Sequence, residues 1–185
     1  MSLKHAILVL LETEPSSGYD LVKHFKRSLG YFWNAKHQQV YQQLKKLTED
    51  QWVTFQAHSQ SNKPDKKVYE ITALGKKELS DWISQPVKPN RLNDALLVKL
   101  YGGHLATPEN LQAELDNHTE LHQSTLENLE QIEQLYLSLD DDKKAHYLLP
   151  YMTLRRGILG ERAWLEWAKE VKTTLQKTAD TKKAD

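Results

Sequence analysis

Residues 32–72 constrain this chain more than any other stretch. From about Ala35 the apolar residues recur at helical spacing, and at about 100° per residue Val40, Leu44 and Leu47 fall on one side. Gln38, Gln42, Lys45 and Lys46 fall on the opposite side, with Gln39 at its margin and Tyr41 on a flank. That outward face carries no carboxylate before Glu49. An ordinary solvated helix face mixes both signs, whereas this one offers only amides and cations. Gln pairs bidentately with adenine, and Lys meets guanine or phosphate, so the face suits a DNA groove. Trp52-Val-Thr-Phe-Gln-Ala then alternates with period two, and Lys67-Val-Tyr-Glu-Ile-Thr does so again. The pair predicts a two-stranded hairpin. His58 to Lys66 reads as its polar loop, with Asn62, Pro64 and Asp65 as turn residues. Lys63, Lys66 and Lys67 enrich the hairpin tip in positive charge. A lysine-rich tip also serves as edge-strand protection; beside a Gln/Lys helix it reads as a phosphate or minor-groove contact.

The segments before this stretch build a platform for the helix. Leu3, Ala6, Ile7, Leu10 and Leu11 predict a first helix closed by residues 13–15. Ser17, with Asp20 three residues on, has the form of a capping-box start. Leu21, Val22, Phe25 and Leu29 give the second helix its apolar face, Gly30 ends it, and Tyr31-Phe32-Trp33 reads as aromatic packing. Thr72 is placed to cap a fourth helix, with Leu74, Leu79, Trp82 and Ile83 as its apolar contacts. Three helices, a hairpin and a closing helix make a winged helix-turn-helix domain over residues 1–85.

Residues 86–90, with two prolines, form the linker to a second, all-helical domain over residues 91–178. Residues 91–101 predict a short helix with Leu92, Ala95, Leu96 and Leu100 apolar, ended by Gly102-Gly103. Thr107-Pro108 is an N-cap followed by a first-turn proline. A long helix to about Leu139 carries the seam Leu111, Leu115, His118, His122, Thr125, Leu129, Ile132, Tyr136, Leu139, a heptad rhythm of alternating four and three. Asp140 to Asp142 start the last helix, running to about Leu175, with Tyr147, Tyr151, Leu154, Ile158, Leu165 and Ala168 on one side. Gly157 and Gly160 suit close helix approach, and the polar tail after Thr178 is expected to fray. The apolar faces of this half exceed what two long helices cover, so a second chain is expected to supply the missing surface.

Composition narrows the class. The 185 residues carry a formal net charge of +0, with a net +3 in residues 1–85 and −3 in the remainder. The absence of cysteine excludes disulfides and thiolate metal sites. No apolar run approaches the ~20 residues of a membrane span, and Met-Ser-Leu-Lys-His leads into a helix without a signal cleavage pattern. A cytoplasmic protein without membrane contact is expected. No nucleophile stands beside a base and no phosphate loop is present, so the chain does not read as an enzyme. His118 and His122, four apart, could face one metal, but no third ligand is placed and the zincin order is absent; polar seam positions that set register are the simpler reading. The five Trp residues fit core positions and also an aromatic effector pocket. Arg155 and Arg156 could hold an anion or pair with Glu on a neighbouring helix, and ion pairing is the default expectation. No cofactor is implied.

The N-terminal half resembles the PadR family of transcriptional regulators. The resemblance rests on Ala6-Ile-Leu-Val-Leu-Leu, on Ser17-Gly-Tyr-Asp-Leu, on Phe32-Trp-Asn-Ala-Lys-His-Gln-Gln-Val-Tyr-Gln-Gln-Leu-Lys-Lys-Leu and on Tyr69-Glu-Ile-Thr-Ala-Leu-Gly-Lys-Lys-Glu-Leu followed by Trp82. Through Leu154-Arg-Arg-Gly-Ile, Glu161 and Trp164-Leu-Glu-Trp, the C-terminal half is similar to the helical domain of longer PadR members and AphA-type virulence activators. The resemblance implies a mainly α fold with a small β-hairpin and a homodimer through C-terminal helices. It also implies binding of double-stranded DNA at an inverted repeat and control of nearby genes, repression more often than activation. Some members take phenolic acids or flat drug-like molecules, so a small-molecule effector is a further implied partner. The third helix of such proteins enters the major groove, and Tyr41 corresponds to a tyrosine near the DNA backbone. The candidate DNA contacts are Lys36, Gln38, Gln39, Tyr41, Gln42, Lys45 and Lys46 on the helix, with Lys63, Lys66 and Lys67 on the wing. One departure stands out: Gln51 occupies the helix exit, where members often have Gly, which normally supplies a left-handed stop. The alternative is a protein-interaction module whose winged helix does not read DNA.

Overall fold

A computed structural model of the chain describes residues 3–25, 33, 35–60, 63–89 and 93–184, with side chains apart from those of 59–60, 63–65 and 179–184. The chain forms two compact units, Met1–Asn90 and Arg91–Asp185. Leu29, Gly30, Tyr31, Phe32, Asn62 and Leu92, each given a role above, lie outside the described residues.

The first unit is a winged helix-turn-helix. Helix α1 (Leu3–Thr13) buries Ile7, Leu8 and Leu11 on one face. A two-residue strand, β1 (Ser16–Ser17), leads into α2 (Gly18–His24), whose first turn is capped by Ser17: its Oγ accepts from the Asp20 amide at 3.2 Å. Helix α3 (His37–Glu49) presents Val40, Leu44 and Leu47 to the core, each at most 1% exposed. The wing is β2 (Val53–Gln60) and β3 (Lys63–Ile71), and α4 (Ala73–Ile83) closes the unit, capped by Thr72. These elements share one core, in which Leu21, Phe25, Val53, Tyr69 and Leu79 also pack.

Four local expectations change. Helix α3 begins at His37 rather than near Ala35, because Lys36 is extended (φ −74°, ψ 145°) and donates its N–H to Gln39 Oε1 at 3.0 Å. The sheet has three strands in the order β1-β3-β2, all antiparallel, not two. Ser16 and Ser17 pair with Tyr69 and Val68; two residues carry no readable period, and Ser17 had shown only its capping signal. The wing is longer than expected. Most of the predicted loop between His58 and Lys66 is paired strand, with His58 opposite Lys66 and Gln60 opposite Lys63, while Trp52 precedes the ladder. In α4, Leu79 is buried but Leu74 and Ile83 are 49% and 64% exposed. Gly75 holds the close contact instead: a Cβ there would lie 2.1 Å from the Trp52 carbonyl oxygen.

The exit from α3 resolves the Gln51 departure. Gln51 adopts φ 60°, the left-handed conformation usually left to Gly. Its N–H donates to the Thr48 carbonyl (3.1 Å), and the Trp52 N–H donates to the Leu47 carbonyl (2.9 Å). This is the two-bond Schellman pattern that satisfies the terminal carbonyls. Thr72, 21 residues on, holds the turn from outside: its hydroxyl lies 2.8 Å from the Gln51 carbonyl oxygen and its N–H donates to that of Trp52 at 2.9 Å.

The second unit is all helical. It comprises α5 (Ala95–Tyr101), a 3-10 turn (Gly103–Leu105), α6 (Pro108–Leu137), α7 (Asp141–His146) and α8 (Leu148–Ala184). Asp94, Thr107 and Asp140 cap α5, α6 and α7 through side-chain oxygens. The last helical segment is therefore two helices, separated at Tyr147 (φ −93°, ψ 14°). The backbone stays helical through the tail expected to fray. Helix α6 packs along α8. Its seam follows Leu111, Leu115 and Leu129 as expected, but in the C-terminal half Leu126 and Glu133 are buried as well. Ile132 is left 36% exposed. A helix of 3.6 residues per turn drifts about 20° per heptad from a strict seven-residue rhythm, so the contact line moves around the helix. Gly157 is buried, but the neighbour a Cβ would meet at Gly160 is Arg156 of the same helix, 2.7 Å away. Among the described residues no helix is long and apolar enough to cross a membrane.

Candidate nucleic-acid interface

The outward face of α3 is assembled by a helix anchored on its other three sides. Val40, Leu44 and Leu47 seat it in the core, and Lys36 and the Gln51 turn close its ends. Gln38, Gln39, Gln42, Lys45 and Lys46 are all exposed. Gln39 already serves the backbone of Lys36, so its amide is held at the first turn. Lys45 lies 3.8 Å from Glu49, a solvent-screened pair one helical turn apart. Tyr41, 41% exposed, lies against the start of α2: a Cβ at Gly18 would come within 2.7 Å of its Cζ. Its ring also stands 4.5 Å from that of His37. Gly18 therefore makes room for Tyr41, which joins α2 to α3 while keeping an exposed edge.

On the wing, Lys66 and Lys67 sit within β3 rather than at a tip, opposite His58 and Ala57. Lys67 Nζ lies 4.4 Å above the Phe55 ring, a cation–π contact across the ladder. Lys66 Nζ is 3.1 Å from Asp20 Oδ2. The Ser17 hydroxyl, donating to the same oxygen at 2.6 Å, and then Lys66 hold the Asp20 carboxyl below its ordinary range. Lys63 lies opposite Gln60, and its side chain is outside the described set. The sequence signal at Asp20 is its place in the helix cap; its ion-pair partner stands 46 positions further along the chain.

In the second unit, ion pairs Arg162–Glu130 and Lys172–Asp116 join α6 to α8, and two further nodes of ionisable groups lie along the seam. His122 Nδ1 meets Glu161 Oε2 at 2.5 Å, and the His122 ring stacks on Trp164 at 3.7 Å. His118 lies 6.3 Å from the same Trp ring. The pair thus addresses an aromatic ring and a carboxylate of α8. The second node centres on Glu133, 8% exposed. Burial pushes its carboxyl up, but hydrogen bonds from Arg155 (2.8 Å) and Tyr151 (3.0 Å), with the Arg155 charge, outweigh it and leave it below the ordinary range. The Tyr151 ring stacks on Tyr136 at 3.9 Å. Arg155 pairs with a Glu of the neighbouring helix as expected; Glu133 itself was not singled out, because a carboxylate at a seam position reads from sequence as solvated. Trp33, Trp52 and Trp82 pack against the first unit's core, and Trp164 and Trp167 against the second's.

A wing beside an exposed amide-and-cation helix defines a winged-helix protein of the transcription-regulator class. The chain matches the PadR-like transcriptional regulator family over residues 7–81 and the virulence activator alpha C-terminal domain over residues 92–176. It is 33% identical to the negative transcriptional regulator PadR of Bacillus subtilis over 183 residues, 95% of this chain and 98% of that one. It is 36% identical to a probable transcriptional regulator of Mycobacterium tuberculosis, covering 95% and 98%. The fold superposes on B. subtilis PadR in complex with operator DNA with a TM-score of 0.77 (32% identity, 94% of this chain and 98% of that one). The same relative with p-coumaric acid gives 0.71 (31%, 94% and 98%). The Vibrio cholerae virulence activator AphA gives 0.75 (34%, 96% and 99%). The protein belongs to the PadR-like family of transcriptional regulators, which are not enzymes.

Proposed function

We propose that this regulator binds double-stranded DNA sequence-specifically, as a homodimer on an inverted-repeat operator, and represses nearby genes in the cytoplasm until a small aromatic effector releases it. Residues 1–85 act as the DNA-binding domain and residues 91–178 as the dimerisation domain. The observation that carries this reading is the exposed Gln38, Gln42, Lys45 and Lys46 face of an α3 anchored on its other sides. Such a helix enters a major groove without reorganising. Gln42 and Gln38 then address base edges, while Lys36, Lys45, Lys46, Lys63 and Lys67 supply salt-dependent phosphate affinity, Lys66 meets a phosphate in register with the wing at the cognate site, and Tyr41 lies at the backbone. Gln39 contributes through the helix start. The operator complex of the B. subtilis relative supports the DNA partner, its designation as a negative regulator supports repression, and its p-coumaric acid complex supports an aromatic effector.

The dimer is supported by large apolar side chains left exposed on α6 and α8, among them Leu121, Leu135, Leu149 and Leu159. Two copies of α3 set about 34 Å apart would meet successive major grooves. The test is a gel shift on the DNA upstream of the protein's own gene. Gln42→Ala is expected to weaken the cognate complex by roughly 1–3 kcal/mol and to leave random DNA nearly unchanged. Equal loss on both would remove base reading from Gln42, and no specific complex in any effector condition would overturn the DNA reading. Thermal shifts with aromatic acids, followed by release in the gel, test the effector.

A further inference from the structure

Lysines poised for phosphate are ordinarily left to water, but Lys66 is not. Its Nζ stands 3.1 Å from Asp20 Oδ2, the oxygen to which the Ser17 hydroxyl donates. Ser17 is itself locked twice: its backbone pairs with Val68 of β3, and its Oγ accepts from the Asp20 amide at 3.2 Å. The carboxylate is thus fixed by the strand rung that stands two residues from Lys66. The ion pair adds a side-chain rung to the β1–β3 pairing and ties the wing to α2. Lys67, its neighbour, lies over an aromatic ring instead and keeps its charge unneutralised by a carboxylate among the described residues. The ion pair is partly open to solvent, with side chains 44% and 37% exposed, so a phosphate can reach it.

We infer that Asp20 is a specificity-determining residue that holds Lys66 back from loosely placed phosphates. This inference rests on the DNA-binding reading above. A free lysine releases a counterion wherever a phosphate comes near, so it strengthens binding to any sequence. A lysine already paired to a fixed carboxylate releases none; contact with DNA exchanges one anion for another. That exchange proceeds where the duplex holds a phosphate in register with the wing, as at a cognate site, and not at random positions. Asp20 therefore suppresses non-specific affinity more than cognate affinity.

The test uses the full chain with a cognate fragment and a random fragment across a salt series. Asp20→Asn keeps an acceptor for the Ser17 hydroxyl. It is expected to raise random-DNA affinity about fivefold, to steepen the log–log salt slope by about 0.9, the value of one added phosphate contact, and to change cognate affinity less than about twofold. In a Lys66→Gln background Asp20→Asn is expected to add nothing. Lys66→Gln alone, which leaves the α2 cap untouched and serves if Asp20→Asn folds poorly, is expected to leave the random-DNA slope unchanged. Three results overturn the inference: a gain on random DNA of equal size in the Lys66→Gln background, which is plain removal of a repelling charge; a loss on both DNAs, which is a positioning role; or a full one-contact drop in random-DNA slope on Lys66→Gln. Should wild-type protein bind no DNA, the proposed function falls on its own. Elution from heparin then reads the same cycle, with later elution of Asp20→Asn only while Lys66 is present.

Discussion

Residues 3–89 and residues 93–184 bury their apolar surface in different ways. The first unit folds short elements around one dry centre, where Ile7, Leu8, Leu21, Val40 and Leu44 have no exposed surface. The second packs two long helices along a line. One apolar cluster comprises Leu96, Leu115 and Ala168, with Leu100, Trp164, Trp167 and Val171 against it. Further along, buried Leu126, Leu129, Leu154 and Ile158 share the contact with polar pairs, His122–Glu161 and Glu133–Arg155. Meanwhile Val98, Tyr101, Leu105, Leu135 and Leu149 are more than two-thirds exposed. A globule of four helices and a small sheet closes its own core, whereas a helical pair always has an outer face. The first unit gathers its buried side chains in one centre. The second carries polar pairs along its helix contact and leaves apolar area exposed.

The contrast can be broken experimentally. Leu44→Ala removes a side chain with no exposed surface and is expected to cost about 4 kcal/mol. Hydrogen exchange on the full chain should show protection lost in residues 3–89 and kept in α6 and α8. Loss in both would mean that the two units unfold as one. In the second unit Arg155→Leu strands the buried Glu133 carboxylate and is expected to cost roughly 3 kcal/mol. Adding Glu133→Leu should restore most of it, because two packed leucines suit that seam as well as an ion pair does. A urea-unfolding double-mutant cycle reads the coupling, and additive losses would deny that the pair acts as a unit.

A smaller effect separates the units by pH. His5 is 5% exposed, stacks on Trp82 at 4.3 Å and lies 3.6 Å from Glu78. Burial first, and then the Lys4 charge, push its ring below the ordinary value, against the pull of Glu78. The folded state therefore disfavours His5 protonation, while the unfolded chain takes the proton as pH falls through about 6.5. The stabilisation from keeping His5 neutral is complete above that pH and is lost as pH falls towards the depressed folded value. His5→Phe, which retains the stack, should flatten the pH 7 to 5 slope of the first unit's stability. An unchanged slope would assign it to other groups. Glu133 and Asp20, both depressed, lose their contributions only below their ordinary carboxylate range. Smallest is Gln51→Gly. The left-handed residue costs strain that Gly avoids, so the variant should be about 0.5–1 kcal/mol more stable in thermal unfolding.

The parts legible from sequence are those whose cause lies within one helical turn or one strand. The buried stripe and bare outer face of α3 follow from the spacing of Val40, Leu44 and Leu47. The caps at Ser17, Thr72, Thr107 and Asp140 follow from side-chain oxygens that reach the amide three residues on. These interactions are local, so residue type and spacing specify them wherever the chain goes. Other features needed the chain to be folded. Thr72 meets the Gln51 turn across 21 positions, Asp20 meets Lys66 across 46, and Glu133 enters the α6–α8 seam because the contact line drifts. Such pairings depend on how elements dock, and docking is set by the summed burial of many side chains rather than by the two groups that finally touch. The amide-and-cation face of α3 was therefore written in its own thirteen residues; the partner that restrains the wing beside it was decided only when β3 came to rest against α2.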